Sequence, residues 1–389
     1  MATTTLTSVF PLTCTSEQFG ILKDTLDRYT ASFNRVCLVG WEMPRLNGVE
    51  LHKLTYFPER EASGLGSQLT CSARVKATDA TASARTKLRK GEKVSCPKAK
   101  GLVSIRYDSN SIRIWFDRKE VSLSTVAGRI KIGLDICDYH KARLDWKVCS
   151  CDLVLHKNNK LYLHVVFDKE FASVASTQTV GCDLGVNKPV VTSRNEFLGK
   201  RDWRRVQERY FKTRKSLQAK GTRSAKRRLQ KIGARENRFR KDCDHVISKI
   251  LVTRYGPGTT LVLENLSQIR KSTKHKKGTP TKRRFHNWSF FRLRSFLEYK
   301  APMYGCSVEF VNPRYTSQEC SKCHYVARSN RKSQSEFVCK VCGFKHNADL
   351  NASKNIEFRF LYQAGTPDLV RAQSIARMSG LSGQAVCFS

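Results

Sequence analysis

The sequence predicts an α+β multi-domain chain: an N-terminal antiparallel β-barrel with an inserted helical region, then a mixed region of strands and basic helices interrupted by a four-cysteine ribbon. Three observations predict it. Apolar residues recur at helical spacing through much of the first 100 residues and at a period of two from 101 to 168. A new pattern opens at TVGCDLGVNKPVVTS (179–193), where short apolar runs alternate with long basic stretches. Finally, two Cys-x2-Cys pairs stand 15 residues apart between Cys320 and Cys342.

Residues 1–14 read as the first strand of the barrel, and 15–100 as the inserted helical region. In TSEQFGILKDTLDRYTASFNRVCLVGWEM, Phe19, Leu22, Leu26, Tyr29, Phe33, Val36 and Cys37 fall on one helical face, and a second helix is expected near 62–88. From 101 to 170 the barrel resumes. Val103, Ile105 and Tyr107 alternate, then Ile112, Ile114 and Phe116, around the turn signal DSNS; a second hairpin pattern surrounds HKNNK. The span 171–315 holds the opening strand at 179–193 and a strongly basic stretch with Trp203, Val206, Tyr210, Leu217, Leu229, Ile232, Phe239, Val246 and Ile250 at helical spacing. A break near Gly221 predicts an antiparallel helix pair with Arg and Lys outside. GTTLVLENL (258–266) reads as a buried strand, RKSTKHKKGTPTKRR as a basic loop, NWSFFRLRSFLEYKAPMYG as a helix and CSVEFVNP as a strand. The ribbon is placed at 316–345, one further segment at 346–360 and a tail without clear signal, expected to be disordered, at 361–389.

Composition narrows the partners. With 40% hydrophobic and 10% aromatic residues the chain carries enough apolar surface to fold, and no apolar run approaches the roughly 20 residues of a membrane span. The first residues lack the basic and apolar regions of a secretory signal, so the fifteen cysteines are expected in a reducing, cytoplasmic setting as thiols or metal ligands. Lys and Arg number 71 against 33 acidic residues, a formal net charge of +38. Such an excess repels itself unless a polyanion neutralises it, which points to nucleic acid.

Cys320, Cys323, Cys339 and Cys342 have the spacing at which two knuckles supply four thiolates to one zinc ion. Four thiolates fill a tetrahedral site, so that metal is structural and His324, beside Cys323, reads as a turn residue rather than a ligand. Chemistry is sought elsewhere. Asp183 in TVGCDLGV and Glu264 in LVLENL each end an apolar run, where an ionised carboxylate is costly without a cation. With Asp349 in NADLNAS they form a set of three carboxylates suited to paired magnesium ions, with manganese as a substitute.

GCDLGVNKPVVTS, LVLENLS and NADLNASKNI resemble the three split motifs of a RuvC-type nuclease, an RNase H-like fold. With NPRYTSQECSKC and NRKSQSEFVCKVCGF between the second and third motifs, residues 180–356 resemble TnpB, the transposon-associated RNA-guided DNA nucleases, and their compact type V CRISPR relatives. For the N-terminal half the resemblance is one of layout: a wedge barrel with a helical recognition insertion. It implies that Asp183, Glu264 and Asp349 are the catalytic, magnesium-binding carboxylates and that Arg331 meets the scissile phosphate, with Arg328 and Lys332 close enough to substitute. It further implies a guide RNA, a double-stranded DNA target beside a short recognised motif, and a prokaryotic protein that is nucleoid-associated when on DNA. Monomer and dimer both remain open. Arg204, Arg205, Lys212, Arg214, Lys215, Arg227 and Arg228 on the helix pair, with Lys274, Lys276, Lys277, Arg283 and Arg284 in the basic loop, are the expected nucleic-acid contacts, whereas Trp203, Tyr210, Phe285 and Trp288 are expected to pack. The alternatives are a guide-dependent binder without cleavage and an unguided transposase or resolvase-type nuclease.

Overall fold

The computed structural model describes residues 1–185, 188–199, 202–266 and 290–363, and the chain folds as two compact units. One is Thr5–Lys169; the other holds Met1–Thr4 and the chain from Glu170 onward.

The first unit is built on β1 (Ala2–Thr13), β2 (Ile105–Tyr107), β3 (Ile112–Trp115), β4 (Glu120–Thr125), β5 (Gly128–Leu134), β6 (Lys147–Leu155) and β7 (Leu161–Phe171), in the order β2-β6-β7-β1-β5-β4-β3. Period-two patterning sends Leu153, Leu163, Val165, Phe167, Val121 and Leu123 inward. The sheet curls almost into a barrel around Phe10, Phe116 and Phe167, whose rings lie 5.8–6.4 Å apart. DSNS does turn the chain, through hydrogen bonds from Ser111 and Asn110 to the Asp108 carboxylate. It does not make a hairpin. The strands it joins, β2 and β3, are the two edges of the sheet, and each pairs elsewhere.

Three helices lie between β1 and β2: α1 (Ser16–Glu42), α2 (Gly48–Ser63) and α3 (Ser67–Arg89), with a short α4 (Asp138–Lys141) later. Thr15 and Gln18 form a capping box at the start of α1, which buries Leu22, Leu26, Tyr29, Phe33, Val36 and Cys37. The sequence reading misses α2 because it contains Pro58, which removes one backbone donor and reads as a breaker. Asn47 caps its start, left-handed Gly64 ends it, and Arg35 of α1 grips Glu59 through two 2.8 Å bonds. Lys76 of α3 reaches Asp152 of β6 at 3.2 Å, docking the helices on the barrel.

The second unit centres on β8 (Gln178–Asp183), β9 (Val190–Thr192), β10 (Glu196–Leu198), β11 (Thr259–Glu264) and β12 (Ser307–Val311), in the order β10-β9-β8-β11-β12. Strands β8, β11 and β12 are parallel, and β9 and β10 continue antiparallel. The helix pair, α5 (Trp203–Lys220) and α6 (Arg223–Tyr255), follows β10, and α7 (Phe290–Met303) stands between β11 and β12. The ends of α6 and α7 cover one sheet face, burying Val180, Cys182, Leu261 and Leu263 beneath Ile247, Leu251, Leu293 and Leu297. The buried stripe of α6 runs through Cys243, Ile247 and Leu251, while Val246 is exposed; packing against α7 turns the helix about one residue from the periodicity estimate.

A final helix, α8 (Ala348–Gln363), covers the opposite face, with Ile356 on Val262 and Val311. It comes so close to β8 that a Cβ on Gly181 would stand 2.1 Å from the Ser353 carbonyl oxygen and 2.6 Å from the Glu357 nitrogen. Gly181→Val is therefore expected to destabilise the chain by at least about 3 kcal/mol through overpacking against backbone. Gly20→Ala, on a helix position with nothing within 4 Å, should be neutral or stabilising. Thermal unfolding of the two variants checks this contrast.

Candidate active site and metal centre

Strand alternation decides where the carboxylates point. Val180 and Cys182 face the α6–α7 core, so Gly181 and Asp183 face α8; by the same rule Leu261 and Leu263 face the core, and Val262 and Glu264 face α8. Because Leu263 lies beside Cys182 in parallel register, Asp183 and Glu264 end neighbouring strands at the same edge. Asp349 occupies the first turn of α8 and reaches that edge from the covering helix. Asn347 caps this turn, its side-chain oxygen accepting the Asp349 and Leu350 N–H groups at 3.1 Å each, so the Asp349 carboxylate is left for other work.

The three carboxylates act on one another electrostatically. Burial drives Asp183 well above the usual carboxylate range, the charges of Glu264 and Asp349 push it further, and Arg331 opposes them. Glu264 is raised by burial and drawn back by the Thr316 hydroxyl, which donates to its carboxylate, and by the Arg359 and Arg331 charges. Burial also raises Asp349, against the pull of Arg331, whose Nη2 lies 3.2 Å from Asp349 Oδ1. Three raised acids at one edge, only partly offset by Arg331 and Arg359, have the electrostatics of a site that favours cations. Of the basic residues in NRKSQ and just before it, Arg331 is turned toward Asp349, whereas Arg328 and Lys332 are exposed.

The ribbon supplies Arg331. Its short strands β13 (Glu336–Val338) and β14 (Lys345–Asn347) pair antiparallel, Arg331 bridges to Phe337, and β14 runs directly into α8. Cys320, Cys323, Cys339 and Cys342 bring their sulfurs within 4.8 Å of one another, and among the described residues they are the group so gathered. The Cys320–Cys342 and Cys323–Cys339 sulfurs lie 3.7 and 3.5 Å apart. A tetrahedral ion bonded to sulfur at about 2.3 Å would set such edges at about 3.8 Å, so the donor set fits zinc. Burial raises Cys320 and Cys323, which disfavours their thiolates unless a cation is bound. His324 takes no part in the cluster. It turns the chain with φ of 58°, donates from Nδ1 to the Glu319 carboxylate at 3.0 Å, and stacks on Phe358 of α8 with ring centroids 3.8 Å apart.

Several residues with no local signature hold the ribbon to the sheet. Asn351 and Asn355 of α8 donate to the Glu319 carbonyl at 2.7 Å each, and Asn355 also reaches the Thr316 carbonyl at 2.8 Å. Arg359 binds the buried Glu319 carboxylate at 2.6 Å. Thr316 belongs to the quoted stretch NPRYTSQEC, but its contact spans 52 residues of chain and no spacing rule signals it.

Of the expected nucleic-acid contacts, Arg204, Lys212, Lys215, Arg227 and Arg228 are exposed, and Arg205 is exposed beside Asp202 at 3.0 Å. Arg214 is turned to Glu236 at 3.1 Å. Trp203 is buried against Phe239, and Tyr210 is half-buried. Lys274, Lys276, Lys277, Arg283, Arg284, Phe285 and Trp288 lie outside the described residues, as does the tail from 364.

Comparison with known proteins agrees with this architecture. The model of the Cas12f1-like TNB domain matches residues 290–356. The CRISPR-associated endodeoxyribonuclease Cas12f1 of Sulfoacidibacillus thermotolerans is 30% identical over 230 residues, covering 53% of this chain and 52% of the relative. A TnpB-like protein of Methanocaldococcus jannaschii is 31% identical over 159 residues, covering 39% of this chain and 55% of the relative. The chain thus spans about half the length of these curated relatives. In fold it is similar to the protein of a Cas12f1–sgRNA–target DNA complex, with a TM-score of 0.59 and 17% identity over 88% of this chain and 83% of that one. In its ribbon segment, its sequence relatives and its fold, the chain is thus similar to TnpB and Cas12f1-like proteins.

Proposed function

We propose that this chain is an RNA-guided DNA endonuclease that hydrolyses phosphodiester bonds at the edge formed by Asp183, Glu264 and Asp349. One observation carries the reading: three carboxylates from distant parts of the chain meet at a sheet edge with raised proton affinity, and the Arg331 guanidinium reaches in among them. Relatives named as RNA-guided or CRISPR-associated DNA nucleases support it.

In this reading Asp183, Glu264 and Asp349 hold two divalent magnesium ions, with manganese able to replace them. Such ions, when bound, supply activation of the attacking water and stabilisation of the leaving oxygen. The chain's own residues prepare for this. Thr316 donates to Glu264 and favours its ionised form, Asn347 frees the Asp349 carboxylate from capping, and Arg331 offsets negative charge where a scissile phosphate would enter. Four cysteines hold zinc as a structural ion and fix the ribbon that carries Arg331. Sequence choice is delegated to pairing between a guide RNA and one strand of double-stranded DNA, while the protein reads backbone and a short adjacent motif. Recognition of that motif falls to the barrel and its inserted helices, 1–170, and cleavage to the second unit, in a soluble cytoplasmic protein.

Purification with native flanking sequence, followed by sequencing of the bound RNA, should yield one species with a constant part and a variable end; heterogeneous RNA would overturn guided recognition. Asp183→Ala should reduce magnesium-dependent cleavage at least 1,000-fold, on the order of an essential catalytic group, with RNA and DNA affinity nearly unchanged. Cleavage requires the carboxylates ionised and their proton affinities are raised, so activity should fall at a higher pH than for an ordinary carboxylate. Thr316→Val removes a donor to ionised Glu264 and should move that acid limb higher still, with Thr316→Ser restoring it; a pH–rate profile with guide and target reads both. Cys339→Ser should lose the bound zinc measured by elemental analysis and lower the folded yield. Undiminished zinc would rule out the four-cysteine site.

A further inference from the structure

The outer face of the barrel carries a pair of imidazoles that the proposed chemistry leaves unused. Leu153, Leu163 and Val165 point inward, so Asp152, Val154, Tyr162 and His164 point outward, and His156 continues that face where the loop HKNNK begins. His156 and His164 stand on opposite sides of the Val154–Tyr162 register pair, and across it they bring their Nε2 atoms to 3.1 Å. The two rings are nearly perpendicular, at 87° with centroids 5.3 Å apart.

The surroundings fix both rings. His156 stacks on Tyr162 with centroids 4.1 Å apart, and Asn158 Nδ2 donates to the Tyr162 hydroxyl at 2.9 Å. The backbone N–H of His156 donates to the Lys160 carbonyl at 3.0 Å, and Asn159 closes the loop with φ of 58°. His164 lies directly across from Asp152, whose Oδ1 is held by Lys76. Burial lowers the proton affinity of His164, the neighbouring His156 lowers it further, and the charge of Asp152 opposes them. His164 is thus neutral at neutral pH, the form in which imidazole binds metals. Two nitrogens 3.1 Å apart and each about 2.05 Å from one ion subtend roughly 100° at it, between the octahedral and tetrahedral angles. Without an ion, one Nε2–H donates to the other Nε2; binding requires only that this ring move its proton to Nδ1. Imidazole pairs suit late first-row divalent ions, whereas magnesium prefers oxygen.

We propose that His156 and His164 form a two-histidine site for a divalent ion of the zinc, nickel and copper class, with water in its remaining positions, and that the ion clamps the end of the β6–β7 hairpin. The site is separate from the four cysteines and from the carboxylate edge, and it does not rest on the nuclease reading. The test uses the full chain with its ribbon zinc in place, in excess magnesium to occupy the carboxylates, titrated with nickel by calorimetry at neutral pH. H156Q and H164Q should each weaken one nickel site at least about tenfold, whereas H52Q, on α2, should leave it intact. Nickel should raise the Tm of the parent and of H52Q more than that of either pair variant. A second measurement needs no variant: in the parent with 15N-labelled histidine, paramagnetic nickel should broaden the ring resonances of His156 and His164 before those of the other histidines. Nickel affinity unchanged in the pair variants, a loss in only one of them, or broadening centred on another histidine would each overturn the proposal. Zinc should stay bound throughout, and its displacement without broadening at the pair would place nickel in the ribbon and overturn the site as well.

Discussion

The contact between the backbones of α8 and β8 at Gly181 is the constraint on which the second unit depends. A sheet with one face covered by α6 and α7 leaves its other face, with Val262 and Val311, in need of apolar cover, and α8 supplies it through Ile356. Only a residue without a side chain admits the helix at that depth. The same approach brings the first turn of α8, and with it Asp349, to the edge where β8 and β11 end. Burial of the sheet and assembly of the carboxylates are one packing event.

That arrangement explains why a four-cysteine ribbon is spliced immediately before α8. The segment from Thr316 to Asn347 leaves the sheet after β12, folds around its cysteines and returns as the helix that closes the site. At its start, Thr316 donates to Glu264; within it, Arg331 reaches Asp349; along its border, Asn351, Asn355 and Arg359 of α8 satisfy the carbonyls and the buried Glu319 of the ribbon. Two of the three carboxylates therefore receive a side chain from the ribbon segment. A ribbon clasped by four sulfurs holds those two side chains at a fixed distance from each other, a service that a loop of equal length could perform only at a large cost in chain entropy.

Much of this was legible in the sequence wherever the governing pattern is local. Alternation in TVGCD and LVLEN places Asp183 and Glu264 at strand ends, the cysteine spacing marks the ribbon, and Gly221 separates two helices, with left-handed φ of 63°. Reading failed where pairing is non-local or signals conflict. DSNS has the chemistry of a hairpin turn, but sheet closure rather than the turn decides what β2 and β3 pair with. Pro58 hides α2 because Asn47, Gly64 and the Arg35–Glu59 pair outweigh one lost donor. The division of arginines into those that tie helices together and those left in solvent depends on where Glu236 and Asp244 are buried, which no run of charges discloses. The parallel register that sets Asp183 beside Glu264 is likewise invisible to any single strand.

The order of the carboxylates along the chain has a consequence for biosynthesis. Asp183 and Glu264 belong to adjacent strands, but Asp349 lies beyond the ribbon in α8, so a ribosome that has produced the first two has made a sheet with one bare face and an incomplete edge. The set closes only when the ribbon has folded and α8 has left the exit tunnel. A nascent or prematurely terminated polypeptide therefore lacks the complete set of carboxylates, and the last helix to dock serves as the record that the segment before it has folded.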